Sequence, residues 1–227
     1  MQSGTSLGQP LAMQCAGETL WLLPEHALWW PAERVLWVAD VHLGKAATYR
    51  ALGQPVPAGT TQENLARLSA LLAHYRPAQL VFLGDFLHAA QAKTASLLAE
   101  LASWRERHAA LHCVLVRGNH DSRAGDPPLS LNIQVVDEPW PMGPFAACHH
   151  PQSDATRYVL SGHLHPALTL RGKGHDHLRL ACFSFDERCA VLPAFGEFTG
   201  GWRVQPQPGR TLYAVGGHAV WRVPARR

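Results

Sequence analysis

Short apolar runs separated by polar turns make up most of the chain, and their spacing changes near the middle. Residues 19–23 and 27–30 predict two short strands around the turn Pro24-Glu25-His26, and residues 35–38 predict the first buried strand. Residues 43–59 have little periodicity and predict a long loop. Thr60 and Glu63 then have the spacing of a capping box. Leu65, Leu68, Leu72 and Tyr75 follow at helical intervals, and Pro77 closes the helix. A strand is expected at 80–83 and another at 111–116. Between them a helix over about 93–107 carries Leu97, Leu101, Trp104 and His108 on one face. This β-α-β-α-β order predicts parallel strands with helical crossovers. From about Gln134 the runs are short and β-rich, at 178–185, 189–192, 201–204, 211–215 and 219–223, with no helix. The shift predicts a second sheet packed on the first. One domain over 1–227 is expected, with residues 1–16 as a flexible leader.

Composition narrows the class. Of 227 residues 47% are hydrophobic, enough for a core, and only 16% are charged, which excludes a disordered chain. No apolar run reaches membrane-span length, and the first residues lack the basic front of a secretory signal. Five cysteines, an odd number with no C-x-x-C pair, predict buried free thiols and a cytoplasmic location. The formal charge of +3 is too mild to indicate nucleic acid by itself. Histidine, at 14 residues, is the informative excess.

Much of that histidine stands at the ends of apolar runs. The run at 35–38 leads into Asp40 and His42, and 80–83 leads into Gly84-Asp85. Residues 114–116 lead into Gly118-Asn119-His120-Asp121, and 145–148 into His149-His150. Residues 158–160 lead into Gly162-His163-Leu164-His165. Ligands of open α/β sheets bind beyond the carboxyl ends of strands, so these ends are expected to converge. Carboxylate, imidazole and amide oxygen without thiolate suit manganese, iron, zinc or a similar divalent ion. The donors are too many for one ion, whereas two ions sharing a bridging carboxylate would use them all. Such a pair, about 3.5–4 Å apart, clamps an in-line displacement at phosphorus. His120 is gathered with these donors. Asp121 either orients His120 or caps the helix after the turn. His88 reads as a substrate-side group or a structural histidine. Lys45, Arg50 and Arg123 flank the motifs, as phosphate contacts or as solvated loop charges.

The ordered set Asp40-x-His42, Gly84-Asp85, Gly118-Asn119-His120-Asp121, His149 and Gly162-His163-x-His165 resembles the calcineurin-like metallophosphoesterase superfamily. The resemblance implies an α/β fold, a four-layer α/β/β/α sandwich of two mixed sheets. It also implies one ion on Asp40, His42, Asp85 and His165, and a second on Asp85, Asn119, His149 and His163. The attacking hydroxide would lie between them. The ligand set that the resemblance implies leaves His120 to face substrate and protonate the leaving oxygen. Many members carry glycine after the fourth-motif histidine, where this chain has His150. His149 is taken as the ligand and His150 as a substrate-facing neighbour, with the reverse assignment open.

Further segments are similar to the ligase-associated metallophosphoesterase of bacterial DNA repair (PdeM-type). They are Ala39-Asp40-Val41-His42-Leu43-Gly44-Lys45, Pro55-Val56-Pro57-Ala58-Gly59-Thr60-Thr61, Gly84-Asp85-Phe86-Leu87-His88-Ala89 and Leu192-Pro193-Ala194-Phe195-Gly196-Glu197-Phe198. This implies a DNA endonuclease or phosphodiesterase using two divalent ions, manganese first, with iron, zinc or nickel as the other choices. DNA with single-stranded regions is the implied partner, alongside a DNA ligase, a helicase and an exonuclease, with room for a homodimer and no membrane. A phosphomonoesterase or nucleotide pyrophosphatase on the same site is the alternative, and a non-catalytic scaffold a third.

Overall fold

The structure, a computed structural model, describes residues 7–51, 53, 59–172, 176–197, 199 and 201–224. Two mixed sheets face each other, with helices flanking them. The first sheet has seven strands in chain order: β1 (Leu11–Cys15), β2 (Glu18–Leu23), β3 (Ala27–Trp30), β4 (Val35–Ala39), β5 (Gln79–Leu83), β6 (His112–Val116) and β7 (Ile133–Val136). Strands β1 to β4 pair antiparallel, and β4 to β7 pair parallel. The parallel part is built by the crossovers expected from the sequence. Four helices are described: α1 (Lys45–Ala51), α2 (Thr60–Tyr75), α3 (Ala95–Arg107) and α4 (Asn119–Ala124).

The second sheet has nine strands. They are β8 (Trp140–Met142), β9 (Phe145–Ala147), β10 (Tyr158–Ser161), β11 (Pro166–Arg171), β12 (His177–Phe185), β13 (Cys189–Val191), β14 (Trp202–Arg203), β15 (Thr211–Gly216) and β16 (Ala219–Arg222). Its main path runs β14-β11-β12-β13-β10-β9-β8, and β15 joins β16 to β12. No helix is described after Leu131, as the β-rich second half predicts.

Alternation along β4 explains the layering. Leu36 and Val38 face the helices, where they join Leu80 and Phe82 of β5, Leu68, Leu71 and Leu72 of α2, and Leu101 and Trp104 of α3. Trp37 and Ala39 face the other way, into a core with Val81, Val114, Phe145, Leu160 and Phe183. Because both faces are covered, the strand is buried throughout and its sequence is a continuous apolar run. All five cysteines are buried and free. No described helix is long and apolar enough to cross a membrane.

Three sequence expectations change. Residues 11–15 are no leader: Leu-Ala-Met-Gln-Cys alternates in burial and forms the edge strand β1 on β2. Residues 1–6 lie outside the described residues. Within 43–59, Lys45–Ala51 is a helix, since this alanine-rich stretch has good intrinsic helix propensity. Residues 54–58, which include all of Pro55-Val56-Pro57-Ala58, lie outside the described residues. Thr60 and Glu63 form no capping box. The chain enters α2 through Gly59 at φ 93°, so Thr60 is already in the first turn and makes no side-chain cap bond.

The clean cap belongs to α3, where Thr94 Oγ1 accepts the Leu97 N–H at 3.2 Å. Thr94→Ala should therefore lower unfolding free energy in urea by about 1 kcal/mol. Glu63→Gln should change it by less than about 0.5 kcal/mol, because only a weak helix-dipole interaction is lost.

Candidate metal centre

The carboxyl ends of β4, β5 and β6 lie side by side and continue as paired loops. The His42 N–H donates to the Asp85 carbonyl at 2.9 Å, and the Leu43 N–H to the Phe86 carbonyl at 2.9 Å. The second sheet brings the ends of β9 and β10 against them. The His149 ring Nδ1–H donates to the Leu83 carbonyl at 3.1 Å, and the His163 N–H to Asp40 Oδ2 at 2.9 Å. The expected convergence of strand ends is thus a property of the sandwich.

Two glycines make room for it. A Cβ on Gly84, at φ 78°, would stand 2.1 Å from His149 Nδ1. One on Gly162 would stand 2.6 Å from Asp40 Oδ2. Neither side chain could fit without moving a functional group. The backbone also departs from ordinary conformations at Asp40 (φ 53°), His42 (48°), Asp85 (50°), His163 (69°) and His165 (48°). Left-handed conformations cost non-glycine residues about 1–2 kcal/mol each, and such costs collect at functional sites.

The side chains form two groups that meet at Asp85. On one side, His42 Nε2 lies 3.8 Å from Asp85 Oδ2 and 3.4 Å from His165 Nε2. His165 Nε2 in turn lies 3.4 Å from Asp40 Oδ1. On the other side, His149 Nε2 lies 3.5 Å from Asp85 Oδ1, 2.9 Å from Asn119 Oδ1 and 3.1 Å from His163 Nδ1. With its Nδ1–H committed to Leu83, His149 turns a lone pair toward these oxygens. Asp40 Oδ1 is buried and has no hydrogen-bond partner among the described residues. Lone pairs facing lone pairs, together with an orphaned buried carboxylate oxygen, are the arrangement cations satisfy. The residues present therefore fit divalent ions.

Protonation agrees. Burial first, then Lys45 and the surrounding imidazoles, hold His42 well below the usual imidazole range. Burial, with His149 and His150, lowers His163 as well. Neutral imidazole is the form that ligates metal.

The remaining sequence candidates divide. His120 donates its ring Nδ1–H to the His88 carbonyl at 2.6 Å, which turns Nε2 toward the donor cluster, 3.9 Å from Asp85 Oδ2. Its backbone N–H donates to Asp85 Oδ1 at 2.9 Å. Asp121 does not orient that ring, which corrects one of its two expected roles. Fully buried, it accepts the Gly118 N–H on Oδ2 and the Phe86 and Leu87 N–H groups on Oδ1, so it caps α4 and ties it to the loop after β5. Burial there pushes its carboxyl up to about 6.

His88 stacks on His120 with ring centroids 5.2 Å apart. Burial, Lys45 and His120 push its pKa down to about 4. His150 Nδ1 pairs with Glu138 Oε1 at 2.6 Å, and its ring lies 4.5 Å from that of His163. Lys45 is buried, with its pKa lowered by burial and drawn the other way by Asp40 and Asp85. Arg50 and Arg123 are exposed on α1 and α4.

Glu138 went unrecognised in the sequence. Its Oε2 accepts both the His149 and His150 N–H groups, at 2.6 and 2.9 Å, and so fixes the turn that delivers His149. The signal was present: residues 133–136 are a further apolar run ending in acids, Asp137 and Glu138.

Two facing sheets with a carboxylate and imidazole cluster at their strand ends define a metal-dependent hydrolase of phosphoesters. The calcineurin-like phosphoesterase family model matches residues 33–148, and the chain belongs to that family. Among solved structures, the Pseudomonas putida nuclease MPE is 50% identical, with a TM-score of 0.85 over 95% of this chain and 100% of that one. This agrees with the PdeM-type resemblance. Yfce, a phosphoesterase from E. coli, aligns at 17% identity over 80% of this chain and 87% of that one, with a TM-score of 0.35, a likeness too slight to argue from. No protein with a curated description matches the chain.

Two substitutions test this geometry. Gly162→Ala should leave a folded protein that has lost most of its bound metal, measured by elemental analysis. Asp121→Ala strips three backbone donors of their buried acceptor and should cost about 3 kcal/mol in urea unfolding.

Proposed function

We propose that the protein is a nuclease that hydrolyses DNA phosphodiesters at a centre of two divalent ions, with Asp85 bridging them. The observation that carries the two-ion reading is the division of Asp85, which turns Oδ2 to His42 and Oδ1 to His149. Asp40, His42, Asp85 and His165 would hold one ion, and Asp85, Asn119, His149 and His163 the other. When bound, the ions would lower the pKa of a water and neutralise charge on the phosphoryl oxygens. The alternative choice of His150 as ligand is disfavoured by its pairing with Glu138, whereas His149 is fully buried among the donors. Support for a nucleic-acid substrate comes from 50% identity to a nuclease along its whole length, and the choice of DNA follows the PdeM-type resemblance. Manganese as the working ion, a role in DNA repair and action beside a ligase, helicase and exonuclease extend the same reading.

The remaining steps fall to protein side chains. Asp40 and Asp85 are pinned by the His163 and His120 backbone N–H groups, so the carboxylates cannot swing away. His120 is held through Nδ1 by the His88 carbonyl and turns Nε2 toward the centre, 3.9 Å from Asp85 Oδ2. From there it would protonate the leaving oxygen. His88, stacked on His120, keeps that ring from rotating.

End-labelled single-stranded DNA should be cut in manganese, spared with chelator, and spared by Asp85→Ala protein. Hydrolysis of a small phosphomonoester with no cutting would instead identify a phosphatase. His120→Ala should keep its metal yet lose about 10²–10³-fold in kcat on DNA, with a smaller loss on an aryl ester whose leaving group needs no proton. Full retained activity on DNA would remove His120 from the mechanism.

A further inference from the structure

A second cavity opens beside the metal centre. It holds about 370 Å³ and shares His165 with the centre as a common wall. Its other walls include His26, Arg67 from α2, Arg179 from β12 and the 194–197 segment. That segment is a strap across the end of β4: the Phe195 N–H donates to the Ala39 carbonyl at 2.7 Å, and the Gly196 N–H to the Asp40 carbonyl at 3.1 Å. A ligand in the cavity would therefore stand next to anything bound at Asp40 and His165.

The walls present cationic donors. The Arg67 guanidinium lies over the Phe195 ring at 4.3 Å. It donates through Nη2 to the Phe195 carbonyl and, at 3.1 Å, to Asn64 Oδ1. Its buried Nε has no hydrogen-bond partner among the described residues. Arg179 donates through Nη2 to the Gly201 carbonyl, which fixes it at the cavity mouth while the residue stays exposed. Glu197, 3.8 Å from Arg67 Nη1, is the single carboxylate among the lining residues, and it is partly exposed. His26 gives its Nδ1–H to the Ala194 carbonyl at 2.8 Å and adds no charge, since burial pushes its pKa down to about 4.

Two guanidiniums line the cavity with one solvated carboxylate, and although Glu25 and Glu63 also act on Arg67, neither lines the cavity; a fixed guanidinium matches phosphate oxygens in shape. A stacked base is disfavoured, because Arg67 already covers the Phe195 ring, His26 is tied to the Ala194 carbonyl, His165 belongs to the metal centre, and much of the remaining wall is small: Ala167, Ala181, Ala194, Gly196 and Gly201. We propose that this cavity is a subsite for a backbone phosphate of the substrate strand, neighbouring the scissile phosphate and held by Arg67 and Arg179. The proposal rests on the nuclease reading above.

Arg67 also holds the strap, so its loss would confuse binding with structure. Arg179 is exposed and gives the cleaner test. Three substrates separate the outcomes in manganese: bis(p-nitrophenyl) phosphate, a dinucleotide with one phosphodiester, and a trinucleotide with two. Wild-type kcat/KM should rise from dinucleotide to trinucleotide. Arg179→Ala should lose that gain, falling about ten-fold further on the trinucleotide than on the aryl ester, and Arg179→Lys should recover part of it. With longer single strands, the logarithmic salt dependence of KM should weaken by about 0.7 in Arg179→Ala, as for one lost phosphate contact. Equal losses on all three substrates, or none on any, would overturn the subsite while leaving the nuclease intact. A wild-type protein that hydrolyses the aryl ester but neither oligonucleotide would overturn the DNA reading and the subsite with it.

Discussion

Two carboxylates buried in one small volume set the problem that the rest of the structure solves. Asp40 and Asp85 are 0% and 2% exposed. Buried like charges repel, and each loses hydration. Backbone N–H groups of His163 and His120 take one oxygen of each. That offsets part of the cost and leaves Asp40 Oδ1 without a hydrogen-bond partner among the described residues. A cation completes the balance, and the imidazoles of His42 and His163, kept neutral chiefly by burial, add donors without adding charge. The left-handed backbone at five of these residues and the missing Cβ atoms at Gly84 and Gly162 follow from the same crowding.

Both sheets supply the centre. The first delivers both carboxylates, the amide of Asn119 and the imidazole of His42 from the ends of three adjacent parallel strands, where the hydrogen-bond ladder fixes their spacing. The second delivers His149, His163 and His165 from across the sandwich. Each ring is then oriented by what its other nitrogen or its backbone meets: Leu83 for His149, Asp40 for His163. Glu138 and Asp121 belong to neither group of donors around Asp85. They fasten turns to one another through backbone amides, and so convert the packing of two sheets into fixed positions for donor atoms.

Most of this was legible because donors sit where apolar runs stop. The buried parallel strands announce themselves as continuous apolar stretches, and Asp40, Asp85, Asn119 and the histidines follow within a few residues. What the sequence hid depended on pairing across distance. The alternation at 11–15 is too short to identify an edge strand without its partner β2. Gly59 took the capping position from Thr60 because the direction of chain entry, a tertiary matter, decides which residue is the cap. Asp121 could orient a ring or cap a helix by sequence alone, and only three backbone donors from two loops decide it. Glu138 and Arg67 act on residues 11 and 128 positions away, so no local spacing marks them.

The order in which the chain is made has a consequence for the cell that makes it. The carboxylates are synthesised first, in strands that pair locally. Every imidazole after His120 arrives later, and the strap over β4 later still, at Phe195 and Gly196. A growing chain therefore carries Asp40, His42 and Asp85 before His149, His163 and His165 exist to complete the donor set. The centre is assembled only when the second sheet closes on the first, so a half-made molecule holds its carboxylates without the full set of donors.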